Sequence, residues 1–286
     1  MSAFQFESVL DPKTRLGECP VWSVERQALF FVDITARRLH RFDPVSRQHG
    51  FLDVFEDIGC FGFARGGGFV AGLRSGIYLL DENANPVRQL AANPEMHATS
   101  RFNDGRVDPD GCLVAGTLDE SKKVGNAGLY RLDRGTLQKL DDGLMTSNGC
   151  AFSPDGKTLY HSDTPRFVIY ARDYDPKTGA TANKRVFVQL HPQGDDRGRP
   201  DGAAVDAEGC YWTALYEGGR VQRYDPSGKL MAEYPVPAKK PTMPAFGGAD
   251  LKTLFVTSVI DPQDPHGGQL FAMPVETPGL PTTLFR

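Results

Sequence analysis

Ser147-Asn148-Gly149-Cys150-Ala151-Phe152-Ser153-Pro154-Asp155-Gly156-Lys157-Thr158-Leu159-Tyr160-His161-Ser162-Asp163 reads as a short strand, a tight turn and a second strand. Pro154 presets φ at the second turn position, Gly156 supplies a positive φ, and the run after them is aromatic and β-prone. Phe152 anchors the first strand, and Asn148 stands four residues before it, where the chain enters that strand. The same unit, an apolar anchor followed by a turn and a β-rich run, recurs along the chain. Its anchors are Trp22, Phe63, Val107, Phe152, Val205 and Phe246, spaced 41, 44, 45, 53 and 41 residues apart. The second strands are predicted at 28–34, 69–73, 112–117, 158–163, 210–215 and 253–259. A further β-rich segment follows each of them, as in Arg38-Leu39-His40-Arg41-Phe42-Asp43 and Gly128-Leu129-Tyr130-Arg131-Leu132-Asp133.

Such an interval is that of propeller blades, and no long helical period interrupts it. Six units of about four strands predict an all-β, six-bladed β-propeller with a candidate metal site in its central channel. No linker or low-complexity stretch divides the chain, so residues 1–286 are expected to form a single domain. Ring closure calls for a borrowed strand, and Phe4 to Leu10 and Pro281 to Arg286 are the candidates. The widest interval holds Gly194-Asp195-Asp196-Arg197-Gly198-Arg199-Pro200, either a solvated loop or a rim loop over the channel.

Composition narrows the function classes. Hydrophobic content of 40%, 31 Gly and 21 Pro fit a globular, turn-rich protein rather than a disordered one. A net charge of −4 without charge runs gives no footprint for nucleic acid or anionic lipid. The N-terminus carries no basic region followed by an apolar run, and no segment has the length of a membrane span, so a cytoplasmic location is expected, with a monomer as the simplest state. Five widely spaced cysteines without a Cys-x-x-Cys pair point to buried, reduced thiols.

Four residues before the six anchors stand Glu18, Gly59, Asn103, Asn148, Asp201 and Thr242. Propeller symmetry places equivalent positions of different blades on one ring around the axis. Two carboxylates and two carboxamides in such a ring suit a hard divalent cation, Ca²⁺, Mg²⁺ or Mn²⁺, with Zn²⁺ or Fe²⁺ also possible for such a site. Taken singly, each Asn or Asp could equally cap a loop; the shared register is what favours ligands. Arg101 and Asp104 flank Asn103 and should lie near the same mouth, Arg101 as a substrate clamp or as half of an ion pair with Asp104. A serine nucleophile is disfavoured, since Ser147 lacks a Gly-x-Ser-x-Gly context and none of the His residues occupies the ring register. His97 and His161 read as loop or strand histidines, and Phe102, Tyr211 and Trp212 as packing residues.

The motifs Leu16-Gly17-Glu18-Cys19-Pro20-Val21-Trp22, Arg101-Phe102-Asn103-Asp104-Gly105, Ser147-Asn148-Gly149, Pro200-Asp201-Gly202 and Phe246-Gly247-Gly248 together resemble the regucalcin/gluconolactonase family of sugar-lactone hydrolases. The resemblance implies one divalent metal at Glu18, Asn148 and Asp201, and a substrate side formed by Arg101, Asn103 and Asp104. It also implies an acidic substrate contact after the Ala-Gly-Thr strand, within Leu118-Asp119-Glu120-Ser121, where Glu120 is the candidate. The implied reaction is metal-dependent hydrolysis of an aldonolactone, the ion polarising the carbonyl and Asp201 or Asp104 acting as base for water. A phosphotriesterase-like propeller hydrolase and a non-catalytic Ca²⁺-binding or interaction propeller are the alternatives.

Overall fold

The computed structural model of the protein describes residues 4–95, 98–121, 125–194 and 196–286. His97 and Asp195 lie outside the described residues. Six four-stranded antiparallel sheets form the blades of a β-propeller. Their inner strands are Gly17–Ser23, Ile58–Phe63, Ser100–Val107, Ser147–Phe152, Arg199–Val205 and Pro241–Gly247, numbered here as blades 1 to 6. Neighbouring inner strands pack against one another all the way round, blade 6 against blade 1 included. The inner strands begin one residue before the predicted entry residue in blades 1, 2, 4 and 6, two before it in blade 5 and three before it in blade 3.

Burial follows position in the blade. Ile58–Phe63 is buried at every residue, whereas the outermost strand of the same blade, Pro86–Ala92, is mostly exposed. Aromatic side chains fill the wedges between blades: Phe30 meets Phe63 edge-on at 5.1 Å, and Trp212 meets Phe246 at 5.7 Å. Phe102, Tyr211 and Trp212 are buried packing residues, as the sequence suggested. His161 is fully buried in blade 4 between Arg172 and Asp141. All five cysteines are buried and free. Among the described residues no helix is long and apolar enough to cross a membrane.

The turn chemistry is also as read. Gly156 has φ 72°, its N–H donates to Ser153 O at 2.8 Å, and the Asp155 carboxylate accepts from Lys157 N at 3.0 Å. In blades 3 and 5 the turn carboxylates reach further. Asp108 accepts from Cys112 N and clasps the buried Arg131, and Asp206 accepts from Cys210 N and clasps Arg223.

Closure uses only one of the two candidate segments. Glu7–Leu10 pairs with Leu270–Pro274 and becomes the outermost strand of blade 6. Pro281 to Arg286 adds no blade strand. It crosses the opposite end of the channel as a strap, through Thr282 Oγ1 to Trp22 O at 2.8 Å, Phe285 N to Phe63 O at 2.8 Å and Arg286 N to Gly111 O at 3.0 Å. One bridged pair, Ala64 with Phe285, is parallel, so the segment meets the ends of several blades instead of the edge of one.

Candidate functional site at one mouth of the channel

Every inner strand is irregular near its start. Pairing with the second strand slips between Glu18 and Val21, Ile58 and Cys60, Phe102 and Gly105, Asn148 and Ala151, Pro200 and Ala203, and Pro241 and Pro244. A bulge re-aims side chains and frees a strand from strict alternation. Here it does so six times at one height, around one axis. Cys19 and Gly149, each directly after a ring residue, take positive φ values of 44° and 62°. Gly149 has a second constraint, since a Cβ there would stand 2.4 Å from the Tyr211 hydroxyl, which donates to Gly149 O at 2.9 Å.

Three ring residues form a continuous run across blades 3, 4 and 5. Asn103 Nδ2 donates to Asn148 Oδ1 at 2.6 Å, and Asn148 Nδ2 donates to Asp201 Oδ1 at 2.6 Å. All three are buried, at 5%, 4% and 5% exposure, as is Glu18 at 8%. The Glu18 carboxyl is raised well above its ordinary range, first by burial and then by the negative charges of Asp201 and Asp104, with Cys19 N–H and Arg101 opposing. Gly59 has no side chain to offer because it has no room for one: a Cβ would lie 2.2 Å from Phe102 O and 2.6 Å from Asn103 O. Thr242 is a stitch, donating to Gly17 O at 2.5 Å and so joining blade 6 to blade 1 beside Glu18.

Of the two alternatives for Arg101, the ion pair needs correction. Arg101 does not pair with Asp104. Its guanidinium donates to Asn103 Oδ1 at 2.7 Å and Phe102 O at 3.0 Å, with Glu120 Oε1 3.8 Å away. Asp104, the next residue along a bulged strand, turns toward blade 4, where Oδ2 accepts from Cys150 N at 2.8 Å while Oδ1 is buried without a donor. Burial raises its carboxyl too. Asp104 therefore borders the ring from within the channel and is not set beside Arg101.

Glu120 and its neighbour Asp119 are placed differently. Glu120 faces Arg101 and is held by Arg74 at 2.6 Å, whereas Asp119 is tied down by Thr99 and Ser121. Arg74 also grips Asp57 at 2.7 Å, which extends the polar girdle to blade 2. Sequence reasoning missed Arg74 and Asp57, which flank the paired ends of the two inner strands of blade 2. It also missed Thr164, whose hydroxyl accepts from Asn148 Nδ2 at 2.9 Å. A signal for Thr164 existed: Asp33, Asp119 and Asp163 all end second strands, so the residues after them, Ile34, Glu120 and Thr164, share a register of their own.

The ring fits a hard cation. Glu18 and Asp201 are buried carboxylates of the same charge that disfavour each other, and the Asn148 carboxamide lies between blades beside them. A second acidic group, Asp206, Glu208 and Cys210, does not compete: the Asp206 carboxylate is taken up by Cys210 N, Trp212 Nε1 and Arg223. Four residues further along the inner strands, roughly 13 Å away, a cavity of about 390 Å³ opens at the other end of the channel. It is lined by apolar anchors such as Trp22, Phe152 and Phe246 and by the strap residues 280–283, and holds none of the ring residues.

The sequence model of the family described as the SMP-30/Gluconolactonase/LRE-like region matches residues 16–260. The chain is 45% identical over 280 residues to a 6-deoxy-6-sulfogluconolactonase of Pseudomonas putida, covering 94% of each. It is 37% identical over 272 residues to regucalcin of Xenopus laevis, covering 92% of this chain and 90% of that one. Among solved structures, a calcium-binding protein, regucalcin, of Agrobacterium tumefaciens superposes with a TM-score of 0.92 at 28% identity, covering 99% and 98% of the two chains. A luciferin-regenerating enzyme superposes with a TM-score of 0.89 at 26% identity, covering 99% of each chain.

Proposed function

Because this chain belongs to the SMP-30/gluconolactonase/LRE-like family, we propose that its bulged ring hydrolyses a sugar lactone with the help of a divalent cation. The chain is a gluconolactonase-like sugar lactonase, a carboxylic ester hydrolase. The observation that carries the finer reading is the buried run Asn103, Asn148, Asp201 set against the Glu18 carboxylate.

Glu18, Asn148 and Asp201 would hold the ion, whose identity among Ca²⁺, Mg²⁺, Mn²⁺, Zn²⁺ and Fe²⁺ is open to test. When bound there, a divalent cation supplies Lewis-acid polarisation of the lactone carbonyl. Asp201 accepts the proton of the attacking water. Water oxygen bonds to the carbonyl carbon, the ring C–O bond breaks, and the departing ring oxygen takes up a proton to become a hydroxyl. The product is the aldonic acid, which ionises at neutral pH. Arg101 and Glu120 face one another across the girdle and orient sugar hydroxyls through charge-assisted hydrogen bonds. Asn103 has its donors on Asn148 and on Ser147 O, so it aligns the ring as well as bordering the substrate. Asp104, with one oxygen on Cys150 N–H, acts as a fixed charge beneath the ring and not as the base.

The test is indicator-monitored hydrolysis of five-carbon and six-carbon aldonolactones, with and without a 6-sulfo substituent, after chelation and with each cation restored singly. Rate recovery by one cation, lost in Asp201→Ala, is the expected result. Full cation-dependent activity in Asp201→Ala would overturn the assignment.

A further inference from the structure

Thr164 lies outside the inner strands, yet its one hydroxyl touches two of the three proposed ligand segments. It follows Asp163 at the end of the second strand of blade 4 and opens a single 3-10 turn, Thr164–Arg166. The turn is braced on both sides. Pro165 sits at its start, Phe167 closes it with φ 58°, and the Asp163 carboxylate receives Met145 N, Thr146 N and Arg166. Thr164 is only 9% exposed, and its N–H donates to Thr146 O at 3.3 Å.

The hydroxyl has a single hydrogen, and Pro200 O takes it at 2.8 Å. Its lone pairs therefore face Asn148 Nδ2, 2.9 Å away. The other Asn148 Nδ2 hydrogen goes to Asp201 Oδ1 at 2.6 Å, and Asn148 Oδ1 is left pointing toward Asn103. A flipped amide would set an oxygen against both the Asp201 carboxylate and the Thr164 hydroxyl. Thr164 thus selects the amide orientation, and through Pro200 O it also holds the peptide that leads into Asp201.

We propose that Thr164 is a positioning residue which fixes the Asn148 carboxamide with its nitrogen on Asp201 and Thr164, so that the carbonyl oxygen beside Asn103 keeps a second lone pair for the cation that the Asp201 carboxylate also meets. The proposal rests on the reading that Glu18, Asn148 and Asp201 bind that cation. Outer partners that orient ligands commonly change cation affinity by about 10–100-fold when removed. The role requires a hydroxyl rather than a methyl, so serine should suffice and valine should not.

The experiment is calorimetric titration of chelator-stripped protein with Ca²⁺ and with Mn²⁺, alongside lactone hydrolysis. Thr164→Val is expected to bind at least about tenfold more weakly, and Thr164→Ser within about threefold of wild type. At saturating cation the valine variant should regain most of its kcat with little change in KM, because the fault lies in holding the ion. Thr164→Ala is a second hydroxyl-free variant should valine not fold, as judged by thermal melting without cation. Wild-type affinity in Thr164→Val, or equal losses in serine and valine, overturns the inference and leaves the reading of the site intact. A wild-type protein that neither binds a divalent cation nor turns over a lactone overturns both.

Discussion

Replacing Asp201 by Asn separates chemistry from stability, because the two should move in opposite directions. The amide keeps the shape and an oxygen for Asn148 Nδ2, now 2.6 Å from Asp201 Oδ1. What is lost is one negative charge and the proton acceptor. General-base catalysis contributes about 10²–10⁴ in rate, so with weakened cation binding kcat/KM should fall by at least ~10³, or about 4 kcal/mol of transition-state stabilisation. In cation-free protein the same charge is, after burial, the largest cause raising the Glu18 carboxyl. Two unit charges ~4 Å apart at an effective dielectric of ~20 repel by about 4 kcal/mol. The hydrogen bond from Asn148 Nδ2 is kept but falls from charged to neutral strength, a loss of about 1–1.5 kcal/mol. The balance favours Asp201→Asn by roughly 2–3 kcal/mol, a rise of a few degrees in the melting temperature of the stripped protein. Asp104→Asn is the control. Its amide oxygen can still accept from Cys150 N–H and its other oxygen has no donor to lose, so activity should stay within about tenfold. Scanning calorimetry without cation, and indicator assays corrected for spontaneous lactone opening, read both quantities. The reasoning fails if Asp201→Asn keeps more than about a tenth of wild-type kcat/KM, or if Asp104→Asn loses as much.

Gly59→Ala should impair activity although glycine contributes no ligand. Its Cβ would meet Phe102 O at 2.2 Å and Asn103 O at 2.6 Å, displacing the strand that carries Arg101 and Asn103; a loss of about 1–3 kcal/mol in stability with a raised lactone KM is expected, and unchanged kinetics would refute it. Acid should destabilise the fold through two buried histidines, His161 and His40, whose pKa values burial lowers to about 4 and about 3. Both stay neutral in the folded chain while unfolded imidazoles protonate below about pH 6.5, so stability declines as pH falls from there, by up to ~1.4 kcal/mol per pH unit for each. Melting curves between pH 4.5 and 7 should show this slope, and His161→Gln should flatten it.

The parts of the fold that were legible in the sequence are those governed by local rules. Gly156 and the Pro-Asp-Gly turn needed only φ and hydrogen-bond arguments, and the six anchors needed only a period. Counting four residues back worked because every inner strand carries its bulge at the same height. Pro281 to Arg286 resembles a strand by composition, but its backbone partners, Phe63 and Gly111, belong to different blades. Arg101 and Asp104 show the limit of neighbourhood in sequence: one residue along a bulged strand, the side chain turns to Cys150 instead of to Glu120. The Arg74 contact with Glu120 joins blade 2 to blade 3, and a repeat read strand by strand does not give cross-blade partners.

The placement of Glu7–Leu10 in the last blade has a consequence for biosynthesis. Glu7 pairs with Ala272, 265 positions further along the chain. At translation rates of about 5–20 residues per second, that interval lasts roughly 13 to 53 s. Through that time the segment leaves the ribosome as an unpaired edge with no native neighbour, while five blades can form behind it. Its brevity, four residues beginning with a glutamate, limits its appeal to other exposed strands during the wait. The ring is thus completed late, and any delay in the last blade prolongs the exposure of this strand.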